Sequence, residues 1–403
     1  MENISNNICT HQSDSIAATS QSQLPSASSQ DSDPLTISSL PHDLISEILS
    51  RLPMNSLMKF KCVSKSWLSL IKSQRFIKAH LNFINSSTNS QRVLILRCVD
   101  WNYYLKHCSL SSLLYAPATD TVDIDYPPFE APFNFVSVVG CCDGLICISV
   151  RASNIILWNP STRKSKKVPD LGIRLEEDER YTSWDFEYYI SWGFGYDEIN
   201  DDYKVAAVVC VVDDHGEPSG SEVKVYSTKS ETWRSIGDFQ GGYPLEEYGR
   251  FVNGKLHWSL DREDCGYIGS LDLATGMYGQ IKKPKCDEDS ESELESTLNV
   301  FQGCLCLLCD ENDDHTDVWI MKEYGVTESW TKVFTILINK PSRSSVFTPL
   351  CRSEKGEVLL LLGSKLVLYN PENATCVDIS FRDQEIRAYY AFVYTESLVS
   401  PCY

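Results

Sequence analysis

An aromatic residue standing just before a turn recurs through most of this chain, and the spacing of the recurrences limits what the chain can build. Leu114-Tyr115-Ala116-Pro117-Ala118-Thr119, Leu157-Trp158-Asn159-Pro160-Ser161-Thr162 and Leu368-Tyr369-Asn370-Pro371 share it clearly. Val225-Tyr226-Ser227-Thr228, Leu271-Asp272-Leu273-Ala274-Thr275-Gly276 and Val318-Trp319-Ile320 fit the same slot more loosely. Their central positions, 115, 158, 226, 272, 319 and 369, are 43, 68, 46, 47 and 50 residues apart. Except for the 68, these intervals match one propeller blade, ~40–50 residues for four strands. The long interval contains an acidic segment, 175–189, which reads as a loop insertion. Asp143-Gly144, Asn253-Gly254, Gln302-Gly303 and Lys355-Gly356 each open a strand, with the glycine 13 to 18 residues before the slot. A glycine entering a strand is turn chemistry.

The strands themselves are short apolar runs: Val93–Leu96, Leu145–Val150, Val205–Val209, Leu305–Leu308 and Val358–Leu362. Gly, Pro, Asn and Asp separate them. This mostly β body is expected over residues 90–395, with about six blades.

A helical module precedes it, expected over residues 37–85. In Leu40-Pro41-His42-Asp43-Leu44-Ile45-Ser46-Glu47-Ile48-Leu49-Ser50-Arg51-Leu52-Pro53 the apolar residues recur at helical spacing, and His42, Asp43, Glu47 and Arg51 occupy the other face. Pro41 suits a first helical position and Pro53 ends the helix. Leu57 to Val63 and Trp67 to Ile71 give two more amphipathic patterns, and Phe76–Leu81 a last helix. Short helices of this size make too small a core to stand alone, so an apolar face requires a cover: the next domain or a partner. Residues 1–36 form a low-complexity leader rich in Ser, Gln and Asn.

These residues carry a family resemblance. Leu40 to Pro53, followed by Phe60-Lys61-Cys62-Val63-Ser64-Lys65-Ser66-Trp67, resembles a plant F-box; the family more often has Glu where Asp43 stands. The body resembles the F-box-associated interaction domain of plant F-box proteins. The strings that carry this are Trp158-Asn159-Pro160-Ser161-Thr162, Gly193-Phe194-Gly195-Tyr196-Asp197 with Asp202-Tyr203-Lys204-Val205, and Asn253-Gly254-Lys255-Leu256-His257-Trp258. The family is propeller-like and related to kelch repeats, although the paired glycines of a typical kelch blade are mostly absent here. The resemblance implies docking onto the Skp-type adaptor of a cullin-RING ubiquitin ligase through Leu40, Pro41, Leu44, Ile45, Ile48 and Leu52. The propeller would then hold a protein substrate.

Composition is compatible with that division of labour. The net charge is −19, yet residues 40–81 carry +5 and the leader −4, leaving −20 on residues 82–403. A basic module on an acidic body points to two different partners, and an acidic body disfavours nucleic acid. Solubility alone explains the acidity equally well. No apolar run approaches the ~18 residues of a membrane span, and no signal-peptide core is present, so a cytoplasmic or nuclear protein is expected. The sixteen cysteines therefore read as reduced thiols rather than a disulfide framework.

No catalytic constellation survives inspection, and no cofactor is expected. Cys304-x-Cys306-x-x-Cys309 near His315 lacks the second knuckle of a zinc site and reads as a buried strand. Asp310-x-Asn312-x-Asp314 has His315 where a calcium loop needs glycine and Met321 where it needs Glu. Ser161-x-x-Lys164 follows a proline turn, and Gly193-x-Gly195 lacks the third glycine of a dinucleotide fingerprint. Arg163-Lys164-Ser165-Lys166-Lys167 reads as a charged turn rather than a nuclear-import patch. For substrate binding, Tyr181, Trp184, Tyr188, Tyr189 and Trp192 beside the acidic 176–179 cluster are the candidate contact surface, since aromatics dominate binding hot spots. Two other readings stay open: a receptor for basic ribonucleases, as in pollen self-incompatibility, and a glycan-binding or enzymatic propeller with carboxylates or metal ligands in its channel.

Overall fold

The computed structural model of the chain describes residues 40–85, 90–99, 102–124, 136–151, 154–172, 188–213, 218–261, 266–284, 296–311, 315–337, 347–382 and 387–402. By contacts the chain divides into two units, residues 1–45 and 46–403. In the first, the Pro41 carbonyl accepts from the Leu44 and Ile45 amides at 3.0 and 3.2 Å and so starts helix α1 (His42–Ser50). Pro41 thus stands just outside the helix, where its missing N–H costs nothing. Asp43 lies in the first turn, the favourable end for an acid.

In the second unit, α2 (Met54–Phe60), α3 (Lys65–Lys72) and α4 (Gln74–Ile84) follow at short intervals. Ser64 caps α3 by accepting from the Trp67 amide at 3.1 Å, and Ser73 caps α4 by accepting from Phe76 at 3.3 Å. Leu57, Ile71, Phe76 and Ile84 are buried. The ring of buried His80 meets the Leu52 carbonyl at 3.0 Å, holding α4 against the chain that leaves α1.

The described strands form six sheets, mostly of four antiparallel strands each. The first contains β1 (Gln91–Val99), β2 (Asn102–Ser109) and β3 (Val122–Asp123), with helix α5 (Leu110–Tyr115) between the last two. The second is β4 (Val136–Cys142), β5 (Leu145–Val150), β6 (Asn154–Asn159) and β7 (Lys164–Lys167). The third is β8 (Tyr188–Asp197), β9 (Asp202–Val212), β10 (Pro218–Ser227) and β11 (Thr232–Gly237). The fourth is β12 (Tyr243–Pro244) and β13 (Arg250–Val252), both on β14 (Lys255–Asp261), then β15 (Tyr267–Asp272) and β16 (Tyr278–Lys282). The fifth is β17 (Ser296–Phe301), β18 (Cys304–Glu311), β19 (His315–Met321) and β20 (Trp330–Ile336). The sixth is β21 (Phe347–Arg352), β22 (Val358–Leu362), β23 (Lys365–Asn370) and β24 (Thr375–Asp378).

The last strand, β25 (Tyr390–Thr395), returns to the first sheet and pairs with β1, from Gln91↔Thr395 to Leu96↔Tyr390. β25, β4, β8, β13, β17 and β21 then touch in sequence around a closed ring. The result is a six-bladed propeller.

Six apolar clusters fill the six gaps between neighbouring blades. This explains why the middle strands read as unbroken apolar runs. In β5, Leu145 and Cys147 pack toward the third blade, whereas Ile146, Ile148 and Val150 pack toward the first. Both faces of the pleat are interior, and each fully buried aliphatic side chain contributes about 1.5–3 kcal/mol.

The turns follow the glycine signal. Asp143-Gly144, Asn253-Gly254 and Gln302-Gly303 have φ of 50 and 80°, 52 and 73°, and 53 and 76°, the conformation of a two-residue hairpin whose twist matches its strands. Lys355-Gly356 instead belongs to a longer connection, with only Gly356 at positive φ. The aromatic slot is the next-to-last residue of the third strand in Trp158, Tyr226 and Tyr369; in β15 and β19 that place belongs to Leu271 and Ile320, one residue from Asp272 and Trp319. Tyr115 leaves the series altogether, because its string ends α5 instead of a strand. Leu110, Leu113 and Leu114 recur at helical spacing and are buried against the sixth blade. The 175–189 insertion lies outside the described residues up to Tyr188.

Candidate functional site

Helix α1 carries an uncovered apolar stripe. Leu40, Leu44 and Ile48 are 38, 51 and 53% exposed, and Pro41 is exposed beside them. Leu44 and Ile48 are one turn apart and share a side of the helix. Ile45 and Leu52 are half-buried, and Leu49 is fully buried. The sequence-predicted adaptor set therefore splits into four exposed side chains and two that also support the helix. Arg51 and Glu47 pair at 2.5 Å one turn apart, both largely exposed.

Helix α4 is held by its own contacts. Ile77 and Leu81 pack against the cluster between the second and third blades, and Lys78 pairs with Asp201 of the β8–β9 turn at 2.8 Å. Buried Asp197 organises that turn. Its carboxylate accepts from the Ile199 and Asn200 amides at 3.0 Å and from Lys204 Nζ at 2.7 Å. Burial alone would raise the Asp197 pKa, but the Lys204 ammonium and Asn200 hold it below the usual carboxylate range.

The predicted aromatic surface is not assembled as expected. Tyr181 and Trp184 lie outside the described residues. Trp192 is 3% exposed, in the core between the second and third blades, 6.3 Å from the Trp233 ring. Its amide and carbonyl bond Glu247 and Gly249 across the blade gap at 2.8 and 2.7 Å. Tyr188 is half-buried against the same cluster, and Tyr189 is exposed. The correction has a simple cause: Tyr188 and Trp192 lie on β8, on the side of the strand that fills a blade interface, while Tyr189 points to the other side.

The first strands enclose a central cavity of about 1010 Å³. Among the described lining residues there is no Asp, Glu or His; the charged ones are Arg250 and Arg352. Among the described residues no group of three His, Cys, Asp or Glu is placed to hold a metal. Cys304, Cys306 and Cys309 fall on β18, with Cys306 and Cys309 fully buried. Twelve described cysteines are free thiols, and Cys309 departs from the reduced-thiol expectation in being disulfide-bonded.

The F-box family model matches residues 37–79, and that of the F-box associated beta propeller domain matches residues 85–401. The chain is an F-box protein with an F-box-associated propeller. An F-box/kelch-repeat protein of Arabidopsis thaliana is 32% identical to this F-box protein over 341 residues, 83% of this chain and 88% of the relative. The F-box protein CPR1 of the same plant is 30% identical over 388 residues, 91% and 90% of the two chains. Among solved structures, a chain of a nidogen/laminin complex aligns with 76% of this F-box protein and 99% of its own length, at 9% identity and a TM-score of 0.43.

Sequence reasoning missed the channel of this F-box protein. Arg250 lies in Gly249-Arg250-Phe251-Val252, a string with no motif, and only ring closure shows that it faces the channel.

Proposed function

We propose that this F-box protein is the substrate receptor of a Skp-cullin-F-box ubiquitin ligase and contributes no chemistry of its own. The observation that carries the reading is the exposed apolar row of Leu40, Leu44 and Ile48 on and just before the first helix; elsewhere in the helical module Val63 and Phe83 are exposed singly. An exposed apolar row on the first helix of an F-box is what an adaptor groove would cover. The propeller would hold a protein target near the ligase core, so that transfer is promoted by proximity. Such a receptor works in the cytoplasm or nucleus; among the described residues no helix is long and apolar enough to cross a membrane.

Charge favours a basic target, since residues 82–403 carry −20, and this is the one observation behind the ribonuclease-receptor reading. Binding to such a target would weaken steeply with salt. The lectin or enzyme reading requires channel carboxylates or a set of metal ligands; the described lining has no Asp, Glu or His, and its cysteines are Cys141 and Cys351.

Co-expression with a Skp-type adaptor followed by size-exclusion chromatography tests the proposal. Co-elution as a stable complex is expected; separate elution of two folded proteins would overturn it.

A further inference from the structure

The channel has a charge opposite to that of the body around it. The protein carries −19, yet the described channel lining contains Arg250 and Arg352 and no acid. An acidic surface designed only for solubility gives no reason for a cationic interior.

Arg250 is held at one end only. Its Nε donates to the Leu298 carbonyl at 3.1 Å, fixing the guanidinium plane against β17. Among the described residues, no acceptor lies within bonding distance of its two terminal nitrogens. Glu246 is the acid whose field reaches it, but the two form no ion pair, and Glu246 Oε2 already accepts from the Ser259 amide at 2.8 Å. A guanidinium with an anchored Nε and two vacant Nη donors is a fork set for a planar or tetrahedral oxyanion.

Aromatic surface lies beside it. Tyr248 and Tyr390 line the same cavity, and Tyr389 and Tyr390, 55 and 40% exposed, meet edge to face at 4.7 Å. Tyrosines around a concave site with a well-placed cation suit a ligand pocket, and the volume suits a metabolite or a peptide side chain with its neighbours. The Glu247 carboxylate, outside the lining, bonds Tyr248 and its field reaches Tyr390, so the anion's charged group belongs at Arg250 and its uncharged body at the rings.

We propose that the channel binds an organic anion, its phosphate or carboxylate paired with the Arg250 fork and its body lying against Tyr248 and Tyr390. The proposal does not rest on the ligase reading. The anion can be a free small molecule or a phosphorylated or acidic side chain of a bound protein.

Calorimetric titration of the full chain with free phosphotyrosine, with citrate and with a phosphoserine peptide tests this, with spermidine as the cationic control. At least one anion is expected to bind and spermidine is not. Arg250→Met is expected to weaken binding at least about tenfold. Because that change also removes the bond to Leu298, Ser137→Glu provides a second variant: it places an acid in the lining, leaves Arg250 and its bond intact, and is expected to produce the same loss. A small anion that binds as well as the peptide identifies a free ligand; binding of the peptide alone identifies a protein side chain. Failure of all three anions to bind at millimolar concentration, or undiminished binding by both folded variants, would overturn the proposal.

Discussion

The side-chain amide of Asn159 donates to the backbone carbonyl of Val399 at 2.7 Å, across 240 residues of sequence. The same nitrogen reaches the Ser397 carbonyl at 3.0 Å, while Asn159 Oδ1 accepts from the Ser161 and Thr162 amides at 2.8 and 3.2 Å. Ring closure is therefore made twice: β25 completes the first blade, and the tail beyond it is latched onto the second. Lys164 adds a contact to Ser400 at 3.3 Å, and Val399 enters the core between the second and third blades. Asn159→Asp keeps the turn acceptor but has no donor, and it sets a carboxylate against two carbonyls. A loss of about 2–4 kcal/mol in denaturant unfolding is expected, more than for Asn159→Ala at about 1–3 kcal/mol. Equal stability of Asn159→Asp and wild type would show that the latch is dispensable.

Gly193 and Gly195 are fixed by the neighbouring blade. A Cβ on Gly193 would lie 2.5 Å from Leu256 Cδ1, and one on Gly195 would lie 2.2 Å from Phe251 Cδ2. Both contacts are side chains of the fourth blade pressed against β8. Gly193→Ala and Gly195→Ala are each expected to lower stability by about 1–3 kcal/mol through overpacking, read as a lower urea midpoint at unchanged slope. An unchanged midpoint would mean that the blades can separate without cost.

His257 should make the propeller acid-sensitive. It is fully buried, with Nδ1 at 3.0 Å from the Arg250 carbonyl and Nε2 at 2.8 Å from the Tyr324 hydroxyl. Burial, aided by Lys255, pushes its pKa down to about 4 despite the Arg250 carbonyl. Unfolded, the ring titrates near ~6.5, so between the two values the unfolded chain binds the extra proton. Its contribution is complete above ~6.5 and is lost as pH falls toward 4, at about 1.4 kcal/mol per pH unit. Buried His80, also lowered by burial, acts in the same direction in the helical module. His257→Gln is expected to flatten the decline of unfolding free energy between pH 6.5 and 5; the same slope as wild type would remove His257 as its source.

What could be read from sequence follows the range of the interactions. The hairpin turns were legible because Asp143-Gly144, Asn253-Gly254 and Gln302-Gly303 encode their geometry within two residues. Helix α1 was legible because its periodicity is local. Trp192 was misplaced because a strand flanked by acidic sequence resembles an exposed loop until the adjacent blade is present to bury it. The α5 helix was hidden because Tyr115-Ala116-Pro117 imitates the slot seen at Trp158. Asn159 stands in the visible Trp158-Asn159-Pro160 string, but its role depends on a tail 238 residues away. Arg250 became visible only with the ring closed.

The central claim is that the exposed side of α1 is an adaptor-docking face. The most direct test is titration of a purified Skp-type adaptor into the full chain and into a variant carrying Leu40→Ala, Leu44→Ala and Ile48→Ala. Because these side chains are substantially exposed, the variant should fold, with unchanged circular dichroism and melting. Truncating three clustered apolar anchors is expected to weaken binding by about a hundredfold or more. An unchanged dissociation constant in the folded variant would contradict the assignment.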